Sequence, residues 1–184
     1  MKSEFQRYTK TAIAFHWLVA LLILVTFPLG MYMQALPLSP DKLKLYSWHK
    51  WVGITILVLA FLRFFWRLSH APPIVAETMT RWQRFASHAV HVLLYLLIFV
   101  VPLSGWVMSS AKGFQTIWFG VLPLPDLVSK DKAVADFLTS THKNLNYTLL
   151  ALVVLHVAAT VKHHFIDHDA TLRRILPYGK EGRS

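Results

Sequence analysis

The sequence contains no cysteine. This absence excludes disulfide bonds, iron–sulfur clusters held by thiolates, and covalent haem attachment through a C-x-x-C-H motif. Any metal centre must therefore use histidine, methionine, carboxylate or a cofactor. Acidic residues are also scarce, with 9 Asp+Glu against 19 Lys+Arg and a formal net charge of +10. The basic residues are scattered at predicted helix ends, which indicates topology signals and anionic lipid contact, and no nucleic-acid partner is expected.

Charged residues are few overall. They make up 15% of the 184 residues, whereas 55% are hydrophobic. The mean hydropathy of +0.45 and the long apolar stretches place the chain among integral membrane proteins. The first apolar run, Thr11 to Met33, is not followed by an A-x-A cleavage pattern, so we interpret it as a membrane span.

Four apolar stretches are predicted to cross the membrane, at about residues 11–33, 45–66, 85–110 and 142–164. The short loops between them favour an antiparallel four-helix bundle, so we expect an all-α membrane protein with one domain over residues 1–184. The longest loop, 111–140, is predicted to hold a short surface helix at about Lys130–Phe137. The N-terminus, second loop and tail carry 12 Lys+Arg, and the other side carries seven Lys. The positive-inside rule then puts both termini in the cytoplasm.

The stretch from Thr141 to His164 organises the chain. Its central residues, Asn144 to Val161, form an uncharged run of 18 residues, long enough to be a membrane-span candidate. His142 and His156 are 14 residues apart, which is about 3.9 helical turns, so both face nearly the same side with roughly 21 Å between them. A histidine inside hydrocarbon is costly and indicates a functional site.

The depth of each histidine in its span predicts two pairs. His16 and His156 lie at the inner level, and His49 and His142 lie at the outer level. Two imidazoles from different helices can ligate the iron of a planar macrocycle between them. Haem b, two per chain, is the economical candidate because no cysteine can anchor the porphyrin.

Small residues and one arginine fit the same scheme. Where a glycine shares a helix face with these sites, the missing side chain lets a macrocycle lie against the helix, although close helix packing is an alternative role. The glycines concerned are Gly30, Gly53 and Gly105. Arg63 lies 14 residues after His49, at the predicted inner level, where its guanidinium can pair with haem propionates.

The remaining histidines allow several interpretations. His88 and His91 are interfacial or packing residues, or else assist the inner haem or a quinone site. His163 and Lys162, beside the inner site, are the predicted quinone residues. A zinc site is the alternative for the polar residues at this end, whose position also suits ordinary surface residues. They are His163, His164, Asp167, His168 and Asp169.

At these residues the chain resembles the bacterial cytochrome b561 family. The matching segments are A-F-H-W-L at 14–18, S-W-H-K-W-V-G at 47–53, H-x3-Y-x6-P-L-S-G-W at 91–106, T-H-K-N-L-N-Y at 141–147, V-L-H-V-A at 154–158 and K-H-H-F at 162–165. The resemblance covers almost the whole chain. It implies four helices in the bacterial inner membrane, two b haems and electron transfer with ubiquinone. One branch of the family oxidises superoxide at the outer haem and passes the electron through the inner haem to ubiquinone; other members use periplasmic redox partners.

The leading hypothesis is therefore electron transfer between an outer-side donor and membrane ubiquinone. The outward lysines favour a small anionic donor such as superoxide, because a positive surface raises its encounter rate. One alternative is a haem-bearing membrane subunit of a separate dehydrogenase or reductase. Another is a protein that binds or transports metal directly with its histidines. The absence of acidic residues inside the spans counts against ion transport. A purely structural membrane protein is the last alternative.

Overall fold

The computed structural model describes residues 7–71 and 80–177. Over these ranges it contains four long helices: α1 (Lys10–Ala35), α2 (Pro40–Ser69), α3 (Arg81–Ala111) and α4 (Lys132–Phe165). A two-stranded hairpin, β1 (Ile117–Trp118) with β2 (Leu122–Pro123), lies between α3 and α4, and a short helix α5 (Thr171–Ile175) follows α4. All four long helices are long and apolar enough to cross a membrane. The prediction of an all-α membrane helical bundle is confirmed.

Each long helix begins at a residue whose side chain accepts a hydrogen bond from the first turn, which satisfies a backbone N–H that the helix leaves unpaired. The capping residue of α3 forms a reciprocal capping box with Gln83, and that of α2 is followed by a proline at the first helical position. The four caps are Thr9, Ser39, Thr80 and Asp131.

The helices extend beyond the predicted spans. The largest difference is in α4, which starts at Lys132 rather than near residue 142. The surface helix predicted at about Lys130–Phe137 is therefore not a separate element, because residues 132–137 form the first turns of α4 and Asp131 caps it. The small hairpin was not predicted. Residues 72–79 of the second predicted loop, with Pro72 and Pro73, lie outside the described residues.

The helices pack in sequence order, α1 against α2, α2 against α3 and α3 against α4. Two apolar clusters fill the middle of the bundle. One contains Val19, Ile56, Ala60 and Ile98, and the other contains Leu97, Val101 and Leu149. Ile23 of α1 contacts both clusters, so all four helices meet at this level. The histidine pairs lie on either side of this core.

Candidate functional site

His16 of α1 and His156 of α4 face each other near one end of the bundle. Their ring centres are 6.4 Å apart and the ring planes differ by 50°. A metal ion bonded at about 2 Å to one nitrogen of each ring holds the two ring centres roughly 6 Å apart, so the spacing suits two axial ligands of one iron. The Nδ1 atom of His16 is buried and has no hydrogen-bond partner among the described residues.

His49 of α2 and His142 of α4 form a matching pair near the other end. Their ring centres are 6.3 Å apart, with planes at 86°. The His49 ring interacts with the backbone of Thr26 in α1, and its buried Nδ1 atom has no other hydrogen-bond partner in the part of the chain that the structure describes. The structure thus brings together the same two pairs that depth in the sequence predicts; whether they ligate haem stays a prediction.

The His142 ring is oriented by α3. Its Nδ1 atom lies 3.1 Å from the Val101 carbonyl oxygen and 2.9 Å from Ser104 Oγ. The Ser104 hydroxyl donates to the same Val101 carbonyl at 2.7 Å, so its oxygen can accept from the imidazole N–H. Hydrogen bonding at Nδ1 selects the tautomer in which Nε2 is available to bind a metal. Sequence reasoning did not identify Ser104, although it stands beside Gly105 in the matched third-helix segment.

The three predicted glycines have two different environments. A Cβ atom on Gly30 would lie 3.1 Å from His49 Cε1, and one on Gly105 would lie 3.0 Å from His142 Cε1. These two glycines therefore accommodate the imidazole rings directly, rather than only the macrocycle that was expected. A Cβ on Gly53 would meet nothing within 4 Å.

An apolar cavity opens at Gly53, between the helices at the His49 and His142 level. Its described lining includes no charged side chain; besides the two histidines, its polar members are Thr26 and Asn146. Two imidazoles that face an apolar space match the donor set and surroundings of a non-covalent b haem. The residues present at the outer pair therefore fit this group. At the inner pair, the fit rests on the ring spacing and the unpartnered His16 nitrogen.

Additional polar groups surround the inner pair. The His91 ring lies edge-on to His156 at 5.1 Å between centres, and its Nδ1 donates to the Ser87 carbonyl at 2.6 Å. Arg63 Nε donates at 2.9 Å to the hydroxyl of Tyr95, which lies one turn after His91 on α3. The Arg63 guanidinium, which is predicted to pair with haem propionates, is thus near the inner pair.

Tyr95 also contacts a second arginine that the sequence reasoning missed. The guanidinium carbons of Arg63 and Arg67 lie 5.2 and 5.5 Å from the centre of the Tyr95 ring. Arg67 is one turn after Arg63, a spacing that could have revealed it. Neither arginine makes a salt bridge with a carboxylate within the described ranges.

Lys162 and His163, the predicted quinone residues, lie at the end of α4. Lys162 Nζ donates to both carboxylate oxygens of Asp167, at 2.7 and 2.9 Å, and this bond lowers the pKa of Asp167. His163 Nδ1 lies 2.9 Å from Asp167 Oδ2 and 3.2 Å from Asp169 Oδ2, at angles outside those of a hydrogen bond. Lys162 is therefore already engaged, whereas His163 stands beside two carboxylates. Residues 7–71 and 80–177 hold no group of three or more histidine or acidic side chains arranged for a metal ion.

A membrane bundle of four helices, with an imidazole pair near each end of its interior, has the architecture of a membrane cytochrome. The sequence matches the family model described as prokaryotic cytochrome b561 over residues 7–178, and the chain belongs to this family. It is accordingly a bacterial membrane protein that binds haem b and takes part in electron transfer.

Curated relatives cover nearly the whole chain. Cytochrome b561 homolog 2 of Escherichia coli (strain K12) is 35% identical over 172 residues, which are 93% of this chain and 92% of that protein. Cytochrome b561 homolog 1 of the same organism is 29% identical over 177 residues, or 95% and 99% of the two chains. The probable superoxide oxidase CybB of Yersinia pestis is 29% identical over 177 residues, or 94% and 97%.

Proposed function

We propose that this chain is a di-haem cytochrome of the bacterial inner membrane that transfers electrons between an outer-side donor and ubiquinone. The observation that carries the proposal is the presence of two imidazole pairs with nearly equal ring spacing, 6.4 Å and 6.3 Å. Along α4 the two levels are 14 residues apart, or about 21 Å. Each bound haem supplies one-electron redox chemistry, and the protein supplies orientation and electrostatics.

Each of the two proposed haems would be held by its own set of residues. His16 and His156 ligate at the inner level, and His49 and His142 at the outer level. Gly53 would leave room for the outer macrocycle, and the Arg63 guanidinium would pair with the haem propionates at the inner level. The apolar cavity lining excludes water from the outer site.

The orientation follows from the arginines and lysines, with both termini in the cytoplasm. Contacts between the two ends of the chain support a common side. The Trp17 indole donates to the Ile175 carbonyl at 2.8 Å, and the Tyr8 amide donates to the Arg174 carbonyl at 3.3 Å. The tail therefore packs on the start of α1, next to the His16 and His156 pair.

His163 is the proposed quinone-binding residue, and it follows His156 on α4 by about two helical turns. Its ring can donate a hydrogen bond to a quinone carbonyl, and the Asp167 and Asp169 carboxylates place negative charge beside it. Reduction of a quinone requires protons as well as electrons. An imidazole flanked by carboxylates at the cytoplasmic end therefore suits the acceptor side, because both kinds of group can transfer protons.

Superoxide is the proposed donor, by similarity to the relative named as a probable superoxide oxidase. Lys143 is the most informative outward lysine, because it is exposed and lines a small cavity together with His49 and His142. Other outward lysines are engaged: Lys132 pairs with Asp136 at 2.6 Å, and Lys50 donates to the Gln115 carbonyl at 3.1 Å. A cation at the mouth of the outer site would attract an anionic donor.

The experiment that tests the di-haem assignment is the haem content and reduced-minus-oxidised spectrum of the purified protein, beside His49→Leu and His156→Leu. We expect two b haems per chain in the wild type and one lost in each variant. A colourless wild type that binds divalent metal would instead support the metal-binding alternative. Stable co-purification of a second chain would support the role as a subunit of a dehydrogenase or reductase.

A further inference from the structure

The connection between α3 and α4 contains a long uncharged stretch. No charged residue occurs from Gly113 to Pro125, between Lys112 and Asp126. Within it, residues 114–125 form what we term the apolar hairpin, which includes β1 and β2. Its exposed side chains are large and apolar: Val121 is 83% exposed, Phe114 62%, Phe119 57% and Leu122 51%. A contiguous exposed apolar patch generally marks contact with another apolar phase or partner.

The apolar hairpin packs on α2, on the side away from the imidazoles. Trp51 Nε1 donates to the Ile117 carbonyl at 2.6 Å, and Trp118 Nε1 donates to Thr55 Oγ1 at 3.3 Å. Trp51 and Thr55 follow His49 by two and six residues, which is a rotation of about 200° and 240° around the helix. The hairpin therefore covers the outward face of α2, where a membrane helix meets lipid.

These contacts also place the hairpin at membrane depth. Lys50 Nζ donates to the Gln115 carbonyl at the base of the hairpin. Thr55, which contacts Trp118, is five residues further along α2, or about 7.5 Å deeper along the helix axis. Part of the hairpin thus lies deeper along α2, toward the middle of the bundle, than Lys50, the last charged residue at this end of the helix.

The backbone of the hairpin is compatible with an apolar medium, in which unpaired polar groups are costly. The two strands pair with each other, and Leu124 N donates to the Thr116 carbonyl at 2.8 Å. At the tip, Gly120 N donates to the Ile117 carbonyl and Val121 N to the Trp118 carbonyl. Hairpin and helix therefore pair these backbone groups with protein partners, without water.

The residue at the turn is unusual for a water-exposed hairpin. Phe119 and Gly120 have φ of 51° and 74°, the pattern of a type I′ turn. This turn prefers asparagine, aspartate or glycine at both central positions, and a bulky side chain with positive φ is strained. The Phe119 ring lies 5.5 Å from the Trp51 ring and 5.3 Å from the Trp118 ring, centre to centre, yet the residue stays 57% exposed, which suits an apolar surrounding better than water.

We propose that the apolar hairpin inserts into the membrane leaflet at the His49 and His142 end of the bundle, with lipid acyl chains in contact with Phe119, Val121 and Leu122. The loop would then anchor α2 and α3 at the membrane interface beside the outer pair. This proposal is independent of haem occupancy and of the electron donor. A second copy of this chain, or a soluble protein partner, would be a different occupant of the same surface.

The absence of native cysteine allows a direct test with single labels. Val121→Cys and Ile117→Cys in the full-length protein, each carrying an environment-sensitive fluorophore, are reconstituted into phosphatidylcholine vesicles. Fluorescence is measured with nitroxide-bearing acyl chains and, separately, with aqueous iodide. Ser129→Cys is the matched control, since it is exposed in the same connection but outside the apolar hairpin. Wild-type-like helix content shows that the labelled variants are folded.

We expect the hairpin labels to emit at shorter wavelength, to lose fluorescence with nitroxide lipid and to resist iodide, whereas the Ser129 label shows the opposite response. Efficient iodide quenching of the hairpin labels would overturn the proposal. Protection from both quenchers would also overturn it, because a protein surface would then cover the hairpin. In that case, loss of protection on dilution into excess lipid would identify a second copy as the occupant.

Discussion

Gly105 of α3 and His142 of α4 are in direct contact: a Cβ atom on the glycine would lie 3.0 Å from the imidazole Cε1. Gly105→Ala must therefore displace the ring whose Nδ1 is bonded to the Val101 carbonyl. We expect the variant to lose the haem of the outer pair and keep that of the inner pair, as measured by haem content and difference spectra. Retention of both haems would show that the ring can move without losing its ligand position.

Gly53→Ala gives the opposite structural situation, because its Cβ would enter open space. In the haem-free protein, we expect the alanine to stabilise α2 by up to about 1 kcal/mol through helix propensity. In the haem-loaded protein the same methyl group should compete with the macrocycle and lower haem retention. Thermal unfolding of both forms checks the prediction, and a stabilisation that is equal in both would mean that no macrocycle lies against Gly53.

Ser104→Ala removes the hydroxyl that contacts His142 Nδ1 at 2.9 Å. Outer-shell partners of metal-binding histidines typically affect affinity by about 10–100-fold, so we expect haem affinity at the outer pair to fall within this range. Ser109→Ala is the matched control, since Ser109 is also buried in α3 but bonds the Phe114 carbonyl instead. Haem titration of the two variants measures the difference. Equal haem affinities would show that Ser104 does not position His142.

Lys143→Ser tests the steering of an anionic donor at the outer site. We expect a slower superoxide-dependent rate with a weaker dependence on salt, because the lysine lines the cavity that contains His49 and His142. Lys132→Ser should have little effect, since Lys132 is paired with Asp136. Stopped-flow reduction at several ionic strengths distinguishes the two. Identical salt dependence in both variants would contradict steering by Lys143.

The Lys162–Asp167 contact predicts a pH dependence at the end of α4. Hydrogen bonding from Lys162 lowers the pKa of Asp167 in the folded protein. The contact therefore contributes stability above the unfolded-state pKa of about 4 and loses it as the pH falls through the lowered folded value. We expect lower protection factors for the amides of residues 166–175 under acid conditions, after correction for the intrinsic pH dependence of amide exchange, and Asp167→Asn should show lowered protection already at neutral pH. An exchange rate in that variant equal to wild type would show that the contact does not hold the segment.

The features predicted best are those that depend on long-range periodicity. The four spans and the proximity of His16 to His156 and of His49 to His142 follow from hydropathy and from residue counting along helices. The site roles of these residues remain predictions. The start of α4 was misplaced because Lys132 to Thr141 carries charged and hydroxyl side chains, and hydropathy does not distinguish a surface turn of helix from a loop.

Side-chain partners were harder to predict. The contacts of Gly30 and Gly105 with imidazoles depend on how two helices rotate against each other, which a single sequence does not determine. The apolar hairpin was missed because its strands have two residues each, too short for an alternating pattern. The bond of Lys162 to Asp167 was not predicted, because it forms only when the chain turns after α4. The assignment of Lys162 to a quinone site stays a prediction.

Helix α4 carries one histidine of each pair and runs without interruption for 34 residues, with neither proline nor glycine in its sequence. At about 1.5 Å per residue it is a rod of roughly 51 Å, longer than the hydrocarbon thickness of about 30 Å. Such a rod has no hinge between His142 and His156. Electron transfer between the His49/His142 level and the His16/His156 level therefore occurs over a fixed distance. Its rate should be insensitive to solvent viscosity, unlike that of a process gated by domain motion.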